Sequence, residues 1–411
     1  MSWLADLIPS PDTRVPVTFE SLTQLLLPTW LCCYVTAVLV LLPGTLYARL
    51  ALLPVSLWFT FRTGTRLDLI VQYNDDRLLF INEALTLAMF TMALRCIIWT
   101  FQTKPLYRTI RADSEEPTSP KSYTICQVAA DALELTNNAR GIGWNWSKGL
   151  YIPEETRPTH SRIAFILSTI PYYLFSTIIF DSCHFAVQSF SPSTFGSGVG
   201  GTIFDSSLPP LQMYLRSTAI TLLSGFTVCY NIQSLYYAST IISLTLPLGQ
   251  TPEQWPPIFG AKPWSATSLS EFWSRKWHQL FRDLFVSVGY NPASYLFGHA
   301  AGVAAAFFVS TVLHVTGLWG MGRGGEFLCT AAFFMSNAFG IILERLWTKV
   351  TGRRVEGVWG NVWTLAWLLV SAQPLVDAWA RTGMIGTMFF SEGARPVNLI
   401  SRAVLGYNVW S

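Results

Sequence analysis

The sequence predicts an all-α protein, a polytopic membrane helix bundle of about eight spans with an interfacial amphipathic helix. Two observations support this prediction. Of the 411 residues, 51% are hydrophobic and only 12% are charged, about half the charged fraction of a typical soluble domain. Apolar residues also gather in blocks of about 20, the length at which a helix crosses a hydrocarbon core of about 30 Å.

Eight apolar blocks are the candidate spans, of which the second is short and the fifth is longer than one crossing requires. In chain order they comprise residues 25–42, 46–61, 78–101, 163–180, 213–246, 297–318, 327–347 and 358–380. The first 21 residues contain a single basic residue, Arg14, and no compact apolar stretch, so a cleavable signal peptide is not expected. We expect the first span to act as an uncleaved signal-anchor.

The distribution of Lys and Arg predicts which loops face the cytosol. With eight spans, the loops on one side hold roughly twice as many of these residues as the other side. This bias places the loops 102–162 and 248–296 in the cytosol, the second of them with the amphipathic helix. Residues 182–212 contain no Lys or Arg, which favours the lumen. Because only two substantial polar regions interrupt the spans, residues 1–411 are predicted to form a single membrane-embedded domain, in the endoplasmic reticulum.

Several classes of function lack their sequence signals. The seven cysteines form no CxxC pair, so neither a disulfide framework nor a zinc site is predicted. A net charge of +3 without a basic block gives no indication of nucleic-acid binding. GxSxG, P-loop and HExxH motifs are absent, and the glycines of GSGVGG lack the strand-to-helix context of a dinucleotide site. No metal and no tightly bound cofactor are therefore expected.

The stretch SLSEFWSRKWHQLFRDLF, residues 268–285, has the pattern of an amphipathic helix. Ser268 and Glu271 have the spacing of a capping box, which predicts that the helix starts there. A helix with Trp on its apolar face and cations on its polar face favours the membrane interface, with lipid as its partner. Alternatively, Arg275, Lys276 and Arg282 bind the phosphates of a soluble ligand. On a helical wheel the apolar face comprises Phe272, Trp273, Trp277, Leu280, Phe281 and Leu284, and the polar face Glu271, Arg275, His278 and Arg282.

His314 lies deep in the sixth apolar block. Ionisable groups inside a membrane are costly and commonly mark a functional site. A neutral imidazole, with an ordinary pKa of about 6.5, can accept a proton at neutral pH, which makes His314 the first candidate for chemistry. The alternative is a neutral histidine hydrogen-bonded to a neighbouring helix. The small residues that permit close helix packing in this block are Gly302, Ala304, Ala305, Ala306 and Gly317.

Two further motifs leave alternatives open. In RGIGWNW, Arg140 and Trp144 either line a cytosolic entrance for a ligand or belong to a glycine-rich loop packed on the membrane face. At the end of the fourth span, in FDSCH, Asp181 and His184 are predicted to form an interfacial hydrogen-bonded pair rather than to take part in chemistry.

Three motifs together resemble the membrane-bound O-acyltransferase superfamily, and within it the wax-synthase-like branch common in fungi. SEFWSRKWHQLFR is similar to the FWxRxWH element of that branch, FFVSTVLHVTG to its histidine-bearing helix, and NNARGIGWNW to its RGxGW element. Their order and spacing also fit. The apolar spans extend the likeness to most of the chain.

The resemblance implies transfer of an acyl group from a coenzyme A thioester to a hydroxyl, with the helix histidine as catalytic base. That role falls on His314. Many relatives have Asn at the end of the aromatic motif, where this chain has His278, so the role of this second candidate catalytic residue stays open. The residues expected to hold acyl-CoA are Trp273, Arg275, Lys276, Trp277, Arg282, Arg140 and Trp144.

The branch includes enzymes that make long-chain esters and others that acetylate fungal terpenoids or polyketides. The resemblance to the small fungal members favours acetyl-CoA as the cosubstrate and a hydrophobic, terpenoid-like alcohol as the acceptor. A long-chain wax or sterol ester synthase is the first alternative. A transporter or non-catalytic scaffold is the second, although the pseudo-repeats and paired broken helices frequent in transporters are not visible.

Overall fold

Long helices make up most of the regular structure, as the apolar blocks predict. The computed structural model describes residues 8–109, 124–147, 149–246 and 249–405. The helices are α1 (Phe19–Leu41), α2 (Leu46–Arg66), α3 (Phe80–Phe101), α4 (Ile125–Asn137), α5 (Arg162–Ser189), α6 (Pro210–Thr245), α7 (282–297), α8 (His299–Gly320), α9 (Phe327–Thr351), α10 (Gly357–Arg381) and α11 (Pro396–Leu405). Within those ranges the one strand pair is β1 (Val15–Pro16) beside β2 (Leu67–Asp68), in parallel.

Shorter helical segments connect the long ones. They are Pro11–Thr13, Val71–Tyr73, Asp76–Leu78, Pro192–Phe195, Pro252–Gln254, Pro263–Ser265, Leu269–Glu271, Phe272–Lys276 and Met384–Gly386. The turns widen to π-helical geometry at Leu22–Leu26 in α1, at Phe285–Tyr290 in α7 and at Phe272–Lys276.

Each predicted span coincides with one of the long helices α1, α2, α3, α5, α6, α8, α9 and α10. Among the described residues, five helices are both long and apolar enough to cross a membrane: α1, α3 with the turn before it, α5, α8 and α9. The protein is therefore an integral membrane protein with an all-α fold. The full count of eight spans stays a prediction, because α2 carries three arginines and α6 and α10 are less apolar.

Two compact units make up the chain. The first unit comprises residues 1–75, 79–150 and 280–327, and the second comprises residues 76–78, 151–279 and 328–411. The boundary at residues 279 and 280 divides the aromatic motif between them. Each unit is described separately below, and the single domain over residues 1–411 stays a prediction.

In the first unit, α1 holds α2 and α4 through polar contacts at the edge of an apolar core. The hydroxyls of Thr29 and Thr63 lie 2.8 Å apart and join α1 to α2. The Tyr34 hydroxyl donates to the carbonyl oxygen of Ala129 at 3.1 Å and joins α1 to α4. The core beneath these contacts consists of Cys33, Ala37, Val40, Leu41, Cys96, Trp99, Leu106, Val128, Ala132, Leu135 and Trp144. The polar loop after α3 is thus anchored to the helices.

In the second unit, α5 packs along α6, and α10 packs on α6. The Asp377 carboxylate of α10 accepts from the Thr202 hydroxyl at 2.6 Å and from the Ile203 backbone N–H at 2.9 Å. This fixes the loop between α5 and α6 against the end of α10. The apolar core comprises Val187, Phe195, Ile203, Ile220, Val376, Ala380 and Ile385.

The segment 268–285 begins as predicted. The Ser268 hydroxyl accepts from the Glu271 backbone N–H at 3.0 Å, so Ser268 caps a helix start. The Glu271 carboxylate accepts a hydrogen bond from the backbone N–H of Thr267 at 2.8 Å. In a complete capping box it would instead accept from the backbone N–H of Ser268. The N-terminal cap is confirmed, with its reciprocal bond shifted by one residue.

The same segment is not one continuous amphipathic helix, and that expectation is wrong. Helical turns end at Lys276, and Trp277 has extended backbone angles, φ −80° and ψ 157°. The side-chain amide of Gln279 donates to the carbonyl oxygens of Trp273 at 3.0 Å and Trp277 at 3.1 Å. Helical structure resumes at Arg282. The break is stable because Gln279 satisfies carbonyls that would otherwise accept from the next helical turn.

Candidate functional site

His314 is half-buried on α8 of the first unit, where α8 packs against α3 and α7. Two of the predicted small residues lie at these contacts. A Cβ on Gly302 would lie 2.8 Å from the Tyr290 ring, and one on Gly317 would lie 3.3 Å from the Leu87 side chain. A larger residue at Gly302 would force Tyr290 of α7 to move, and one at Gly317 would require a small shift of the Leu87 side chain of α3. The close packing predicted for this block is confirmed at these two positions. The packing fixes the helix that carries His314.

Glu83 is an acidic residue that the sequence analysis did not select. Its Oε1 atom would lie 3.6 Å from a Cβ on Gly317, and Gly317 lies one helical turn after His314. The signal was present in the sequence, because Glu83 and Arg95 are the two charged residues of the apolar block 78–101, and charges inside a membrane segment commonly have a function.

Arg95 ties three parts of the first unit together. Its guanidinium donates to the Asp283 carboxylate of α7 at 2.6 Å and to the carbonyl oxygen of Ala139 at 3.2 Å. It also lies 4.7 Å from the centroid of the Trp146 ring. A charge-assisted bond of this kind is strong when it is partly buried. Arg95 therefore fixes α7 and the RGIGWNW loop relative to α3.

The RGIGWNW loop is built into the core of the first unit. Trp144 is 1% exposed, and its indole N–H donates to the Glu134 carboxylate. The Arg108 guanidinium lies 5.5 Å over the Trp144 ring and pairs with Asp131 at 2.7 Å. Burial raises the pKa of Glu134, against the lowering effect of Arg108. Arg140 is also buried, and its role and that of Trp144 stay predictions.

Arg282, at the start of α7, lies near Gly149. Its Nη2 atom would lie 3.3 Å from a Cβ on Gly149, and the following residue, Asp283, is paired with Arg95. The Arg282 side chain makes no hydrogen bond or ion pair with the residues that the structure describes. Its positive charge therefore has no acidic partner in the described part of the first unit.

In the second unit, the aromatic motif forms a cluster with the WPPIFG loop. The Trp277 ring is stacked on Phe272 at 5.3 Å and meets Phe259 edge-on at 5.2 Å. The His278 ring lies 5.8 Å from Phe259, also edge-on. Such contacts fix ring orientation as well as burying apolar area. The loop thus positions Trp277 and His278, which are both half-buried.

Asn337 of α9 anchors Trp273. The Trp273 indole N–H donates to the Asn337 side-chain oxygen at 3.0 Å, and the Asn337 amide donates to the Phe333 carbonyl oxygen at 2.8 Å. Asn337 has no exposed surface. Trp273 is therefore held in one orientation by a buried hydrogen bond.

Glu344, two turns further along α9, holds the start of the same segment. Its carboxylate accepts from the backbone N–H groups of Leu269 at 2.6 Å and Ser270 at 3.0 Å. It also accepts from the Trp363 indole at 3.0 Å. A carboxylate at a helix N-terminus satisfies donors that have no partner within the helix. Neither Asn337 nor Glu344 is predicted from the sequence as a residue of the site, although both are polar residues in an apolar block.

The two cations of the aromatic motif in the second unit, Arg275 and Lys276, differ in their surroundings. The Lys276 ammonium donates to the Ala261 carbonyl oxygen at 3.1 Å and lies 3.7 Å from the Glu271 carboxylate. Arg275 is exposed, lies 6.0 Å from the Tyr151 ring and forms no ion pair within the described ranges. Of the two, Arg275 is the one whose charge is available to a ligand.

The predicted pair of Asp181 and His184 does not form. Asp181 accepts from Arg395 and from the Val397 backbone N–H, each at 2.8 Å. The His184 ring is hydrogen-bonded to the Ile385 carbonyl oxygen at 2.9 Å. The prediction failed because both partners lie about two hundred residues away in the sequence and local spacing carries no information about them.

The structure distributes the predicted site residues between the units. The first unit carries His314, Arg282, Arg140 and Trp144, and the second carries Trp273, Arg275, Lys276, Trp277 and His278.

Comparison with known proteins agrees with the motifs. Residues 255–336 match the model of a family described as "Membrane bound O-acyl transferase family". The matched stretch contains the aromatic motif and His314. Acetyltransferase ple2 of Rhodocybe pseudopiperita is 27% identical over 298 residues, which are 67% of this chain and 70% of that protein. Acetyltransferase ataH of Aspergillus terreus is 29% identical over 59% of this chain and 86% of its own length. Acetyltransferase pyr8 of Aspergillus fumigatus is 24% identical over 82% of both.

These similarities confirm the resemblance that the motifs indicated. The chain is similar to membrane-bound O-acyltransferases and to fungal acetyltransferases, and it is an integral membrane protein. The family match does not extend to the RGIGWNW loop, residues 140–146.

Proposed function

We propose that this protein is an acyl-CoA-dependent O-acyltransferase of the endoplasmic reticulum that acetylates a hydroxyl of a hydrophobic, terpenoid-like secondary metabolite. The observation that carries the proposal is the family match over residues 255–336, which contains both the aromatic motif and the intramembrane histidine. Relatives named acetyltransferases support acetyl-CoA over a long-chain donor.

In this proposal His314 is the general base. An alcohol is a weak nucleophile until a base removes its proton during attack. The imidazole accepts the hydroxyl proton as the oxygen forms a bond to the thioester carbonyl carbon. The tetrahedral intermediate then collapses, the carbon–sulfur bond breaks, and the proton passes to the departing thiolate, which gives the ester and free coenzyme A. Packing of α8 against α3 and α7 supports this role because it limits the movement of the ring.

The aromatic motif is proposed to hold the donor. Trp273, Trp277 and His278 would contact the thioester. The Trp277 indole or the His278 imidazole N–H can donate to the developing oxyanion, whereas the single indole N–H of Trp273 already donates to Asn337. Fixed orientations support these roles: Trp273 is bonded to Asn337, and Trp277 and His278 pack against Phe259.

The cations are proposed to bind the coenzyme A phosphates. Arg275 and Arg282 are the strongest candidates, because each makes no ion pair with described residues and Arg binds phosphate through two parallel N–H bonds. Lys276 is a weaker candidate because its ammonium already donates a hydrogen bond to the carbonyl oxygen of Ala261. Arg140 and Trp144 are proposed to contribute through the stability of their loop.

The phosphate contacts can be tested on purified protein in detergent. We expect Arg275→Gln and Arg282→Gln each to weaken coenzyme A binding by roughly tenfold, about 1.4 kcal/mol, in isothermal titration calorimetry. Arg402→Gln is the matched control, since Arg402 is an exposed arginine at the other end of the chain. Unchanged coenzyme A affinity in both test variants would show that neither arginine binds the phosphates.

The reaction itself can be tested in microsomes that contain the protein. They are supplied with acetyl-CoA or a long-chain acyl-CoA and with pooled terpenoid and fatty alcohols, and free coenzyme A is measured. The proposal predicts acceptor-dependent release from acetyl-CoA. Release from the long-chain donor alone would indicate a wax or sterol ester synthase. Release from neither donor, together with no binding of coenzyme A, would overturn the proposal in favour of a transporter or scaffold.

A further inference from the structure

Helix α11 has an apolar outer side. Leu399, Ile400 and Val404 are 50%, 44% and 75% exposed, and Ala403 beside them is also exposed. At about 100° per residue, these four positions fall within about 140° of the helix circumference. They therefore form one continuous apolar surface, which we call the outer face of α11.

The inner side of α11 is polar and buried. The buried Asn398 amide donates to the carbonyl oxygen of Glu392 at 3.0 Å. Ser401 is also buried, and its hydroxyl donates to the Asn398 carbonyl oxygen at 3.1 Å. A helix on the surface of a water-soluble protein has the opposite arrangement, with its apolar residues inside and its polar residues outside. Polar groups that face the protein interior are typical of a helix in contact with lipid.

Arg402, the one charged residue of α11, does not interrupt the outer face. At about 100° per residue, it lies about 160° from both Ile400 and Val404. Its Nη2 atom donates to the carbonyl oxygen of Gly393 at 2.8 Å, and its Nε atom donates to that of Asn398 at 3.4 Å. The guanidinium is thus directed toward the start of the helix, and the outer face stays free of charge.

The start of α11 is fixed to α5 where the apolar block of α5 ends. Residues 163–180 carry no charge, whereas Arg162 precedes them and Asp181 follows them. At 1.5 Å per residue this block extends about 27 Å along a helix, close to the roughly 30 Å of a hydrocarbon core. The Asp181 carboxylate accepts from Nε of Arg395 and from the Val397 backbone N–H, each at 2.8 Å. Helix α11 therefore begins at the level where α5 leaves the hydrocarbon core.

The helix beside α11 already has an apolar surface for lipid. Helix α5 is long and apolar enough to cross a membrane, and its side chains Leu174, Phe175 and Ile178 are exposed. Helix α11 packs directly against α5. Exposed apolar patches commonly mark surfaces that contact another apolar phase. Because acyl chains surround the neighbouring helix up to this level, they are the partner available to the outer face.

We propose that α11 is an interfacial helix whose outer face contacts the acyl chains of the bilayer at the end of α5. Its ten residues extend about 15 Å, which is too short to cross the hydrocarbon core. An amphipathic helix of this kind lies in the membrane interface, with its apolar face buried among the acyl chains. This inference is independent of the acyltransferase proposal, because it uses none of the residues proposed for that reaction.

Cysteine labelling in microsomes compares the outer face with an equally exposed loop. Val404→Cys and Val199→Cys are matched, because these valines are 75% and 76% exposed. Both are made in a Cys126→Ser background, since Cys126 is the exposed cysteine of the described residues. Freeze–thaw admits a membrane-impermeant maleimide to both sides and leaves the bilayer in place. We expect Val199→Cys to be labelled, and Val404→Cys to lose labelling until SDS dissolves the membrane. Equal labelling before SDS would overturn the proposal, because the outer face would then be in water.

A second measurement distinguishes lipid from a protein surface, such as a second copy of this chain, as the cover of the outer face. The full-length wild-type protein is reconstituted in nanodiscs with a phosphatidylcholine that carries a photoactivatable diazirine in its acyl chain. Adducts are then mapped by mass spectrometry. We expect adducts on residues 399–404 as well as on residues 174–178 of α5. Adducts on α5 with none on α11 would overturn the proposal, because protein would then cover the outer face.

Discussion

Single polar side chains inside apolar helices fix the surroundings of the aromatic motif. Asn337 holds the Trp273 indole, and Glu344 holds the backbone at Leu269 and Ser270. Both side chains are buried, so each is costly unless its hydrogen bonds are complete. The orientation of the motif therefore depends on α9 as well as on its own sequence.

The hydrogen bond between Trp273 and Asn337 can be tested by Trp273→Phe. The change leaves the Asn337 side-chain oxygen buried without its donor, so we expect a loss of about 1–3 kcal/mol in the free energy of unfolding. The loss is measured by chemical unfolding in detergent. Trp347→Phe is the control, because Trp347 is 53% exposed. Equal stability of the two variants would show that the bond contributes nothing.

For single residues, the sequence predicted candidate site residues that belong to recognisable motifs. It did not predict the side chains to which they are hydrogen-bonded. His314, Trp273 and Trp277 were selected from local patterns. The missed partners are distant in sequence: Asn337 lies 64 residues from Trp273, and Asp283 lies 188 residues from Arg95. A local sequence pattern contains no information about such pairs, because only the folded structure brings them into contact.

Among the elements, the interrupted segment 268–285 shows how neighbouring structure overrides helical periodicity. Its apolar residues recur at helical spacing through Leu284, yet the helix ends at Lys276. The Gly260 backbone N–H donates to the Lys276 carbonyl oxygen at 3.0 Å, so the WPPIFG loop occupies the place of the next helical turn. The spacing of Ser268 and Glu271 predicted the start of the element correctly, but the apolar periodicity could not predict that the WPPIFG loop would replace the next turn.

Gly260→Ala tests the contact between the loop and the segment. A Cβ at this position would lie 2.5 Å from the Arg275 carbonyl oxygen, so the backbone must move apart. We expect destabilisation of about 1–3 kcal/mol, measured as a lower Tm, together with weaker coenzyme A binding. Gly225→Ala in α6 is the control, because nothing lies within 4 Å of its added Cβ. A Gly260→Ala protein as stable as this control would contradict the described packing.

For the whole molecule, the composition predicted the fold class because apolar blocks of membrane-spanning length leave few alternatives to helices. Each of the eight blocks coincides with a long helix. The number that cross the membrane is harder to predict, since it depends on the lipid as well as on the chain. In the part of the chain that the structure describes, five helices meet both the length and the composition required.

The predicted topology can be tested by cysteine labelling in sealed microsomes, whose outer face is cytosolic. Cys126, at the start of α4, is exposed and lies in the loop predicted to be cytosolic. We expect a membrane-impermeant maleimide to label it without permeabilisation, and Cys126→Ser to remove that label. Val199→Cys, at a position that is 76% exposed in the segment predicted to be lumenal, should react only after permeabilisation. The reverse pattern would invert the topology.

The central claim is that His314 acts as the base of an acyl transfer, and the most direct test is acceptor-dependent release of coenzyme A from acetyl-CoA by His314→Ala. General base catalysis contributes about 10²–10⁴-fold, so we expect turnover to fall by at least about 10²-fold. Unfolding temperature and coenzyme A affinity are measured on the same preparation and should match the wild type. Turnover at the wild-type level in a variant that folds and binds coenzyme A would contradict the account.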